Sequence, residues 1–253
     1  MKLYYFILLS FFIACQSETA TTVDENPNPP AEDFNIEASD EEAIALADQV
    51  MEAMGGRKAW DETRYLTWNF FGSRKLFWDK QTGDVQIDVF RDSLQIYLNY
   101  KDDVKGAVYK NGIAFAEQDS IKKYVERGKS IWINDSYWLV MPFKLKDSGV
   151  TLKYKGQDTL ETGQAAEKLQ LTFEGVGNTP QNKYMVYVTK KDSLVKQWDF
   201  YTNATDTVKR FSSAWENYQP YGEILLSDNR GRGSLSEIAV YNELPEGFEW
   251  LNK

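Results

Sequence analysis

The chain has 253 residues but no histidine and only one cysteine, and these two scarcities exclude several kinds of chemistry. Without histidine there is no imidazole base, no histidine-containing catalytic triad and no histidine metal ligand. A single cysteine permits neither an intrachain disulfide, nor a thiolate zinc cluster, nor a CxxC redox pair. The sequence therefore predicts no metal and no cofactor.

Proline and glycine are also few, with 7 and 16 residues, which leaves little room for long linkers. Since all-β domains commonly use roughly 200 to 250 residues as one unit, a single domain is expected. The content of 42% apolar and 26% charged residues is typical of a globular protein rather than a disordered chain or a multi-span membrane protein. Aromatic residues are in excess, with 8 Trp, 15 Tyr and 14 Phe.

The beginning of the chain has the features of a signal peptide over residues 1–14. Lys2 is followed by the apolar run LYYFILLSFFIA, which is shorter than the ~20 residues of a spanning helix. The run ends at Ala14-Cys15 and resembles a bacterial lipoprotein signal, in which the cysteine is lipidated after cleavage. Gln16 is not the aspartate that marks inner-membrane retention, so this resemblance implies a lipid anchor at Cys15 in the outer membrane. The periplasmic face is favoured over the cell surface.

The next segment, residues 15–38, is predicted to be an acidic, disordered tether between the lipid and the domain. Residues 16–38 contain six acids, three prolines and no base, and such a composition cannot bury enough apolar surface to fold. Up to residue 42 the chain has nine acids against Lys2 alone, whereas from Ala43 onward it has 28 bases and 29 acids. The domain, expected over residues 39–253, is therefore nearly neutral and offers no basic field for nucleic acid.

Periodicity predicts an α+β domain in which antiparallel β-strands dominate. Ser39 with Glu42 forms a capping-box pattern, and an apolar stripe from Ile44 to Met54 predicts a leading helix that stops at Gly55-Gly56. After Trp60 the apolar residues alternate with a period of two, which predicts about ten strands joined by hairpin turns. The one large interruption, residues 119–146, is predicted to form two short helices as a central insertion.

Several motifs in the sequence resemble the LolA/LolB-like lipoprotein-carrier superfamily, and in particular its uncharacterised Bacteroidota lipoprotein branch. They are the leading helix closed by Gly-Gly and Trp60, the segment YWLVMPFKL at 137–145 in the central insertion, the Gly-x-Thr-Pro turn at 177–180 and Trp-Glu-Asn-Tyr at 215–218. The resemblance implies a curved, incomplete half-barrel, covered by the helices, with an apolar cavity for acyl chains. The soluble carrier of that family also uses a buried arginine to latch its lid, and the sequence leaves open which of Arg57, Arg64, Arg74 or Arg91 would correspond.

Two groups of residues are candidates for ligand contact. Large rigid aromatic side chains suit an apolar cavity, with the closed core as the alternative, and the candidates for it are Trp68, Phe70, Trp132, Tyr137, Trp138, Met141 and Phe143. Arg230 and Arg232 lie in the Gly-rich segment SDNRGRG, which predicts a solvated hairpin loop or a contact with lipid headgroups or a partner.

Three functional hypotheses remain. The first is a membrane-anchored, non-enzymatic lipoprotein that binds a hydrophobic small molecule or lipid. The second is a surface lipoprotein that contacts a glycan or an unidentified protein partner. The third is a carboxylate-dependent hydrolase, for which Glu174, Asp199 and Glu216 adjoin aromatic residues although no spacing singles out a pair.

Overall fold

The computed structural model describes Met1, residues 26–246 and Phe248 of the chain. Cys15 and the predicted signal peptide lie outside the described residues. Among the helices of the described part, none has the length and apolarity needed to cross a membrane.

Three α-helices and fourteen β-strands make up the described residues. The helices are α1 (Glu41–Ala53), α2 (Gly56–Glu62) and α3 (Gln118–Val140), with short 3-10 helices at Phe90–Asp92 and Met141–Lys144. The strands are β1 (Tyr65–Phe70), β2 (Arg74–Asp79), β3 (Asp84–Val89), β4 (Leu94–Asn99), β5 (Asp102–Lys110), β6 (Ile113–Ala114), β7 (Val150–Thr159), β8 (Ala165–Phe173), β9 (Lys183–Val188), β10 (Val195–Tyr201), β11 (Phe211–Ala214), β12 (Glu216–Tyr221), β13 (Ile224–Asn229) and β14 (Leu235–Tyr241).

The strands form three open, antiparallel sheets. The largest has the order β14-β1-β2-β3-β4-β5-β6, the second has the order β11-β10-β9-β8-β7, and β12 pairs with β13. The predicted class, α+β with mostly antiparallel strands, is confirmed. The number of strands exceeds the ten expected and they are divided among sheets, whereas the resemblance implies one half-barrel. Strand β2 is one of the additional strands. Its four consecutive residues from Leu76 to Asp79 are all buried, so it lacks the two-residue alternation by which strands were predicted.

The central insertion differs from its prediction, because it is one long helix followed by a 3-10 turn and not two short helices. Helix α3 has 23 residues and passes through Gly128 without a break. A Cβ atom on Gly128 would lie 2.6 Å from Leu98 Cδ2 and 2.8 Å from Ile96 Cγ2. The glycine therefore allows α3 to approach β4 closely, and this packing outweighs its low helix propensity.

The capping-box prediction for α1 is also wrong, because strand β7 takes the side-chain oxygens that would cap the helix. The Ser39 hydroxyl donates to Asn35 O at 2.8 Å and accepts from Leu152 N at 3.0 Å. The Asp40 carboxylate accepts from Lys153 Nζ and from Tyr154 N, both at 2.9 Å. Helix α1 begins after Asp40 without a side-chain cap and is held by these links to the second sheet.

Part of the predicted tether packs against the domain. Ala31 N donates to Lys146 O at 2.9 Å, and Asn35 N donates to Val150 O at 3.1 Å. Phe34, the one aromatic residue of this stretch, is only 6% exposed and belongs to the main hydrophobic core. Burial of this ring and the backbone hydrogen bonds around it oppose the disorder that the acidic composition predicts.

Candidate functional site

Helix α3 is tied to the largest sheet by an ion pair. Arg74 on β2 donates from Nε to Asp135 Oδ2 at 2.7 Å and from Nη2 to Asp135 Oδ1 at 3.0 Å. The Asp135 side chain is fully buried, and burial raises the pKa of this carboxyl even though the Arg74 hydrogen bonds oppose that shift. The pair fixes the C-terminal part of α3 to β2, next to the aromatic residues Trp132, Tyr137 and Trp138.

A second arginine holds the end of α3. Arg230 is 3% exposed, and its Nε and Nη2 atoms donate to Trp138 O at 3.1 and 2.6 Å. The guanidinium also donates to Ser227 Oγ, Ser227 O and Asn229 O, and it lies 3.7 Å above the ring of Trp215. Burial lowers the pKa of Arg230 to about 9, so the group stays charged at neutral pH. A cation under the last turn of a helix suits the negative end of the helix dipole.

The aromatic cleft, of about 420 Å³, opens between α3 and the second sheet. Its aromatic walls are Tyr137, Trp138, Phe173 and Tyr184. Tyr137 stacks on Trp198 with ring centroids 5.7 Å apart, and Trp138 meets Trp198 edge-on at 4.9 Å. These contacts hold the rings rigid, so a ligand finds preformed apolar walls.

The hydroxyl of Tyr137 is buried and has no hydrogen-bond partner among the described residues. Burial raises the pKa of this phenol well above its usual value, which keeps it neutral. A buried polar group without a partner costs free energy, and the indole nitrogens of Trp68, Trp78, Trp132, Trp198 and Trp215 are in the same position.

Two further clefts adjoin the aromatic cleft. The arginine cleft, of about 230 Å³, lies on the other side of Trp138 and is lined by Phe71, Trp138, Phe211, Ser212, Ser213, Arg230, Arg232 and Gly233. The basic cleft, of about 520 Å³, lies between α3 and β4 and is lined by Leu98, Asn99, Lys122, Val125, Glu126, Lys129, Ser130, Ile133 and Asn178.

The structure separates the predicted cavity residues into two groups. Tyr137 and Trp138 line clefts, as the cavity hypothesis expects. The others do not line any of these three clefts and belong to the packed interior, as the closed-core alternative expects; they are Trp68, Phe70, Trp132, Met141 and Phe143.

The predicted arginines differ from one another in the structure. Arg232 is exposed and lines the arginine cleft, as a headgroup or partner contact requires. The prediction of a solvated Arg230 is wrong, because Trp138 O and Ser227 accept its hydrogen bonds inside the protein. The predicted loop contains a buried cation because the end of α3 lies directly against it.

Sequence reasoning missed Asp135, Asn178 and Tyr184 as residues of the site, and it named Arg74 only as one of four arginines that could correspond to the latch of the family. A signal existed for Asp135, since it lies three residues from both Trp132 and Trp138 and therefore on the same side of the helix. An acid on an apolar helix face needs a partner. Nothing in the sequence identifies Arg74 as that partner, because sixty-one positions separate the two residues.

Two of the three carboxylates of the hydrolase hypothesis are hydrogen-bonded to neighbouring side chains. Asp199 accepts hydrogen bonds from Tyr187, Gln197 and Ser212. Glu216 accepts from Asn229 on the neighbouring strand. Within residues 26–246 and Phe248, no group of three or more acids or other metal-ligating residues is placed to hold a metal ion.

Comparison with known proteins places the chain among solved structures by similarity of fold alone. No family model and no curated protein matches the sequence. A DUF1329 family protein from Desulfovibrio piger has 12% identity and a TM-score of 0.43, with 81% of this chain and 96% of the other covered.

Two further solved structures show a comparable similarity. A putative outer membrane lipoprotein-sorting protein domain from Vibrio parahaemolyticus has 11% identity and a TM-score of 0.41, with coverage of 81% and 95%. A LolA superfamily protein from Nitrosomonas europaea has 10% identity and a TM-score of 0.39, with coverage of 79% and 95%. Identities this low assign no activity to the chain.

Proposed function

We propose that this protein is a non-enzymatic binding module that holds an apolar or amphiphilic ligand, such as an acyl chain, in the aromatic cleft. The observation that carries the proposal is the combination of a preformed 420 Å³ cleft and its four aromatic walls. Ligand sites typically have roughly 300–1,000 Å³ and few polar groups.

Trp138 is the central residue of this site because its side chain lies between the aromatic and arginine clefts. Its indole stacks on Phe211 at a centroid distance of 6.2 Å and is met edge-on by Phe71 at 5.6 Å. An acyl chain lying against this ring gains about 0.8 kcal/mol for each methylene that leaves water.

The proposal includes the lipid anchor at Cys15 and the periplasmic face of the outer membrane. Its support is the short apolar run that ends at the only cysteine of the chain. In a Bacteroidota host, Cys15→Ser is expected to move the protein from the membrane fraction to the soluble fraction. Retention of an unprocessed, membrane-bound variant would contradict the anchor.

Binding is tested with a fluorescent polyunsaturated fatty acid, cis-parinaric acid, titrated into the unmutated chain and into Trp138→Ala. We expect the variant to bind at least about tenfold more weakly, which corresponds to ~1.4 kcal/mol. Trp132→Ala is the matched control, because Trp132 stacks on Tyr100 at 4.1 Å and is not part of the cleft walls. Absence of saturable binding by the unmutated chain would overturn the proposal.

A glycan is the second candidate ligand, and the polar residues of the same cleft favour it. Asn134, Asn178 and Asn182 line the cleft together with its aromatic walls, and amides beside aromatic rings suit a sugar ring. A soluble oligosaccharide that displaces cis-parinaric acid from the unmutated chain, and does so less effectively from Trp138→Ala, would favour this alternative.

A further inference from the structure

We infer that the arginine cleft is a second binding site, and that its ligand is a small acid with a flat apolar body, such as a carboxylate, sulfonate or phosphate on an aromatic ring system. The inference is independent of the proposed function, because Trp138 is the one residue that lines both this cleft and the aromatic cleft. It derives from a strained aromatic residue, a glycine that makes room for that residue, and the two arginines of the cleft.

Phe71 forms a wall of the arginine cleft in a strained backbone conformation. Its φ of 49° lies in the left-handed region, which bulky side chains rarely adopt. The ring is still 37% exposed, and it meets Trp138 edge-on at 5.6 Å and Phe70 at 4.7 Å. Strained residues of this kind cluster at sites that bind ligands. The conformation of Phe71 therefore points to a role at the surface of the cleft.

Gly233, in the loop after β13, makes room for the Phe71 ring. A Cβ atom on Gly233 would lie 2.8 Å from Phe71 Cδ1 and 3.0 Å from Phe71 Cε1. The φ of Gly233 is not positive, so lack of space and not backbone conformation requires a glycine here. The loop is held by hydrogen bonds from Arg230 N to Gly233 O at 2.9 Å and from Arg232 N to Arg230 O at 3.0 Å. The cleft is thus formed before a ligand arrives.

Three aromatic rings line the cleft, and its volume limits the size of the ligand. Phe211 lies nearly parallel to Trp138, with an interplanar angle of 11°, whereas Phe71 lies edge-on to the same indole. Such rings offer a rigid apolar surface on which a flat apolar body packs well. The volume of about 230 Å³ is below the roughly 300–1,000 Å³ of sites that enclose a drug-sized ligand, so a small ligand is expected.

Arg230 places a buried positive charge beside the cleft. Its hydrogen bonds go to neutral oxygens of Trp138, Ser227 and Asn229, and no carboxylate among the described residues forms an ion pair with it. Burial lowers the pKa of Arg230 to about 9, and the charge of Asp228 opposes this shift without an ion pair. An anion bound in the cleft would favour the charged form of this arginine.

Arg232 supplies exposed donors in the same cleft. A guanidinium can hold a carboxylate or phosphate by two parallel hydrogen bonds. Glu161 is the competing acid on the protein: hydrogen bonds from Lys209 and Ser212 hold the pKa of Glu161 below its usual value, and the charge of Arg232 adds to this shift. Because Lys209 Nζ already pairs with Glu161 Oε1 at 2.9 Å, Arg232 can exchange this carboxylate for the anion of a ligand.

The experiment compares two fluorescent dyes, 8-anilinonaphthalene-1-sulfonate and N-phenyl-1-naphthylamine, which share one ring system and differ in the sulfonate. We expect the unmutated chain to bind the sulfonate at least fivefold more tightly at low ionic strength, with the difference shrinking as salt is added. Arg232→Gln should remove this preference and leave the affinity for the neutral dye unchanged. Glu161→Gln should increase the preference. Equal affinity of the unmutated chain for the two dyes would overturn the assignment of an acid.

Arg210→Gln is the matched control, because Arg210 is exposed next to Phe211 and does not line the cleft. It should leave the preference intact, and an equal loss in this variant would reduce the effect to net charge and overturn the role of Arg232. Phe173→Ala changes a wall of the aromatic cleft that the arginine cleft does not share. It should leave the affinity for the sulfonate unchanged; weaker binding would place the dye in the aromatic cleft and overturn the second site.

Phe71→Gly tests the strained wall. Glycine accepts a φ of 49° without strain, so the variant should stay folded, with a melting temperature close to that of the unmutated chain. We expect it to bind the sulfonate at least fivefold more weakly because an apolar wall is lost, and unchanged affinity would overturn the inference. Its affinity for cis-parinaric acid should be preserved, since Phe71 lies outside the aromatic cleft, so failure of the dye site would leave the proposed function standing.

Discussion

Arg230 and Trp138, ninety-two positions apart in the chain, are joined by two hydrogen bonds from one guanidinium to one carbonyl oxygen, at 3.1 and 2.6 Å. The loop after β13 is thereby fixed to the last turn of α3. Since Trp138 also forms walls of two clefts, this buried cation positions the backbone of the residue on which the proposed site depends.

Arg230→Lys is expected to destabilise the protein. Lysine keeps the charge but cannot supply the planar set of donors that reaches Trp138 O, Ser227 and Asn229. The loss should be about 2–4 kcal/mol, because several buried acceptors lose a charged donor. Urea unfolding followed by tryptophan fluorescence measures it. Arg232→Lys, in the same loop but exposed, should change stability by less than about 0.5 kcal/mol.

Phe143→Ala is expected to lower stability without changing ligand affinity. The ring is 3% exposed and stacks on Trp60 at a centroid distance of 4.4 Å, outside the clefts described above. A cavity of this kind costs about 3–5 kcal/mol. Urea unfolding and titration with cis-parinaric acid on the same variant separate the two effects, and a loss of affinity at preserved stability would return Phe143 to the ligand site.

Gly128→Ala should destabilise the protein although alanine is the better helix former. On an open helix surface the change would gain about 0.8–1 kcal/mol. Here the added methyl would lie 2.6 Å from Leu98 Cδ2, and overpacking of this kind costs about 1–3 kcal/mol. A lower melting temperature by circular dichroism is the expected result. Lys123→Ala, on the exposed side of the same helix, should melt close to the unmutated chain.

Lys80 should make stability depend on pH on the alkaline side of neutrality. Burial lowers the pKa of its amino group to about 7, well below the value of 10.5 in the unfolded chain. A folded state that binds the proton more weakly loses stability as pH falls from about 10.5 to about 7, and the loss is complete below that.

Lys80→Met removes this titration. Its stability relative to the unmutated chain should therefore rise as pH is lowered from about 10 to 7, and urea unfolding at several pH values measures the difference. Lys101→Met, at an exposed lysine of a nearby turn, is the control. A constant difference between Lys80→Met and the unmutated chain across this range would contradict the prediction.

Phe34→Ala tests whether the segment before α1 belongs to the folded domain. Loss of this buried ring should cost about 3–5 kcal/mol. Ile36→Ala, two residues further on, is the control because Ile36 is 56% exposed, and it should change stability by less than about 0.5 kcal/mol. Equal stability of the two variants would support the prediction of a disordered tether up to residue 38.

The sequence was sufficient for the elements that have one buried face. Val50 and Met51 lie on the buried side of α1, and Leu94 and Ile96 in β4 are buried while Gln95 and Tyr97 are half-buried, so periodicity identified both elements. Strand β2 was missed because it is covered on both faces: Phe77 packs with Tyr65 in a separate cluster while Trp78 belongs to the main core. A strand of that kind has no alternation to detect.

The site was predictable only in part, for a geometric reason. Tyr137 and Trp138 belong to the same apolar segment as Met141 and Phe143, and composition alone does not tell which residues line a cleft and which pack in the core. The α-helix changes to a 3-10 helix at Met141, and Met141 and Phe143 pack in the main core. The side chains of Tyr137 and Trp138, which come before this change, line the clefts. Long-range pairs such as Arg74 with Asp135 are likewise set by tertiary packing.

If the protein has the proposed lipid anchor, the docking of residues 28–39 on the domain limits how far the clefts can be from the membrane. Asn28 Nδ2 donates to Asp48 Oδ1 on α1 at 2.7 Å. If Cys15 carries the lipid, a chain free up to residue 39 could extend roughly 80 Å, but one anchored to the domain at Asn28 can extend only roughly 45 Å. That is about the diameter of the domain itself, since some 220 residues have a radius of gyration of about 17 Å. The protein would therefore exchange its ligand close to the bilayer that holds it, at an effective concentration set by this short span.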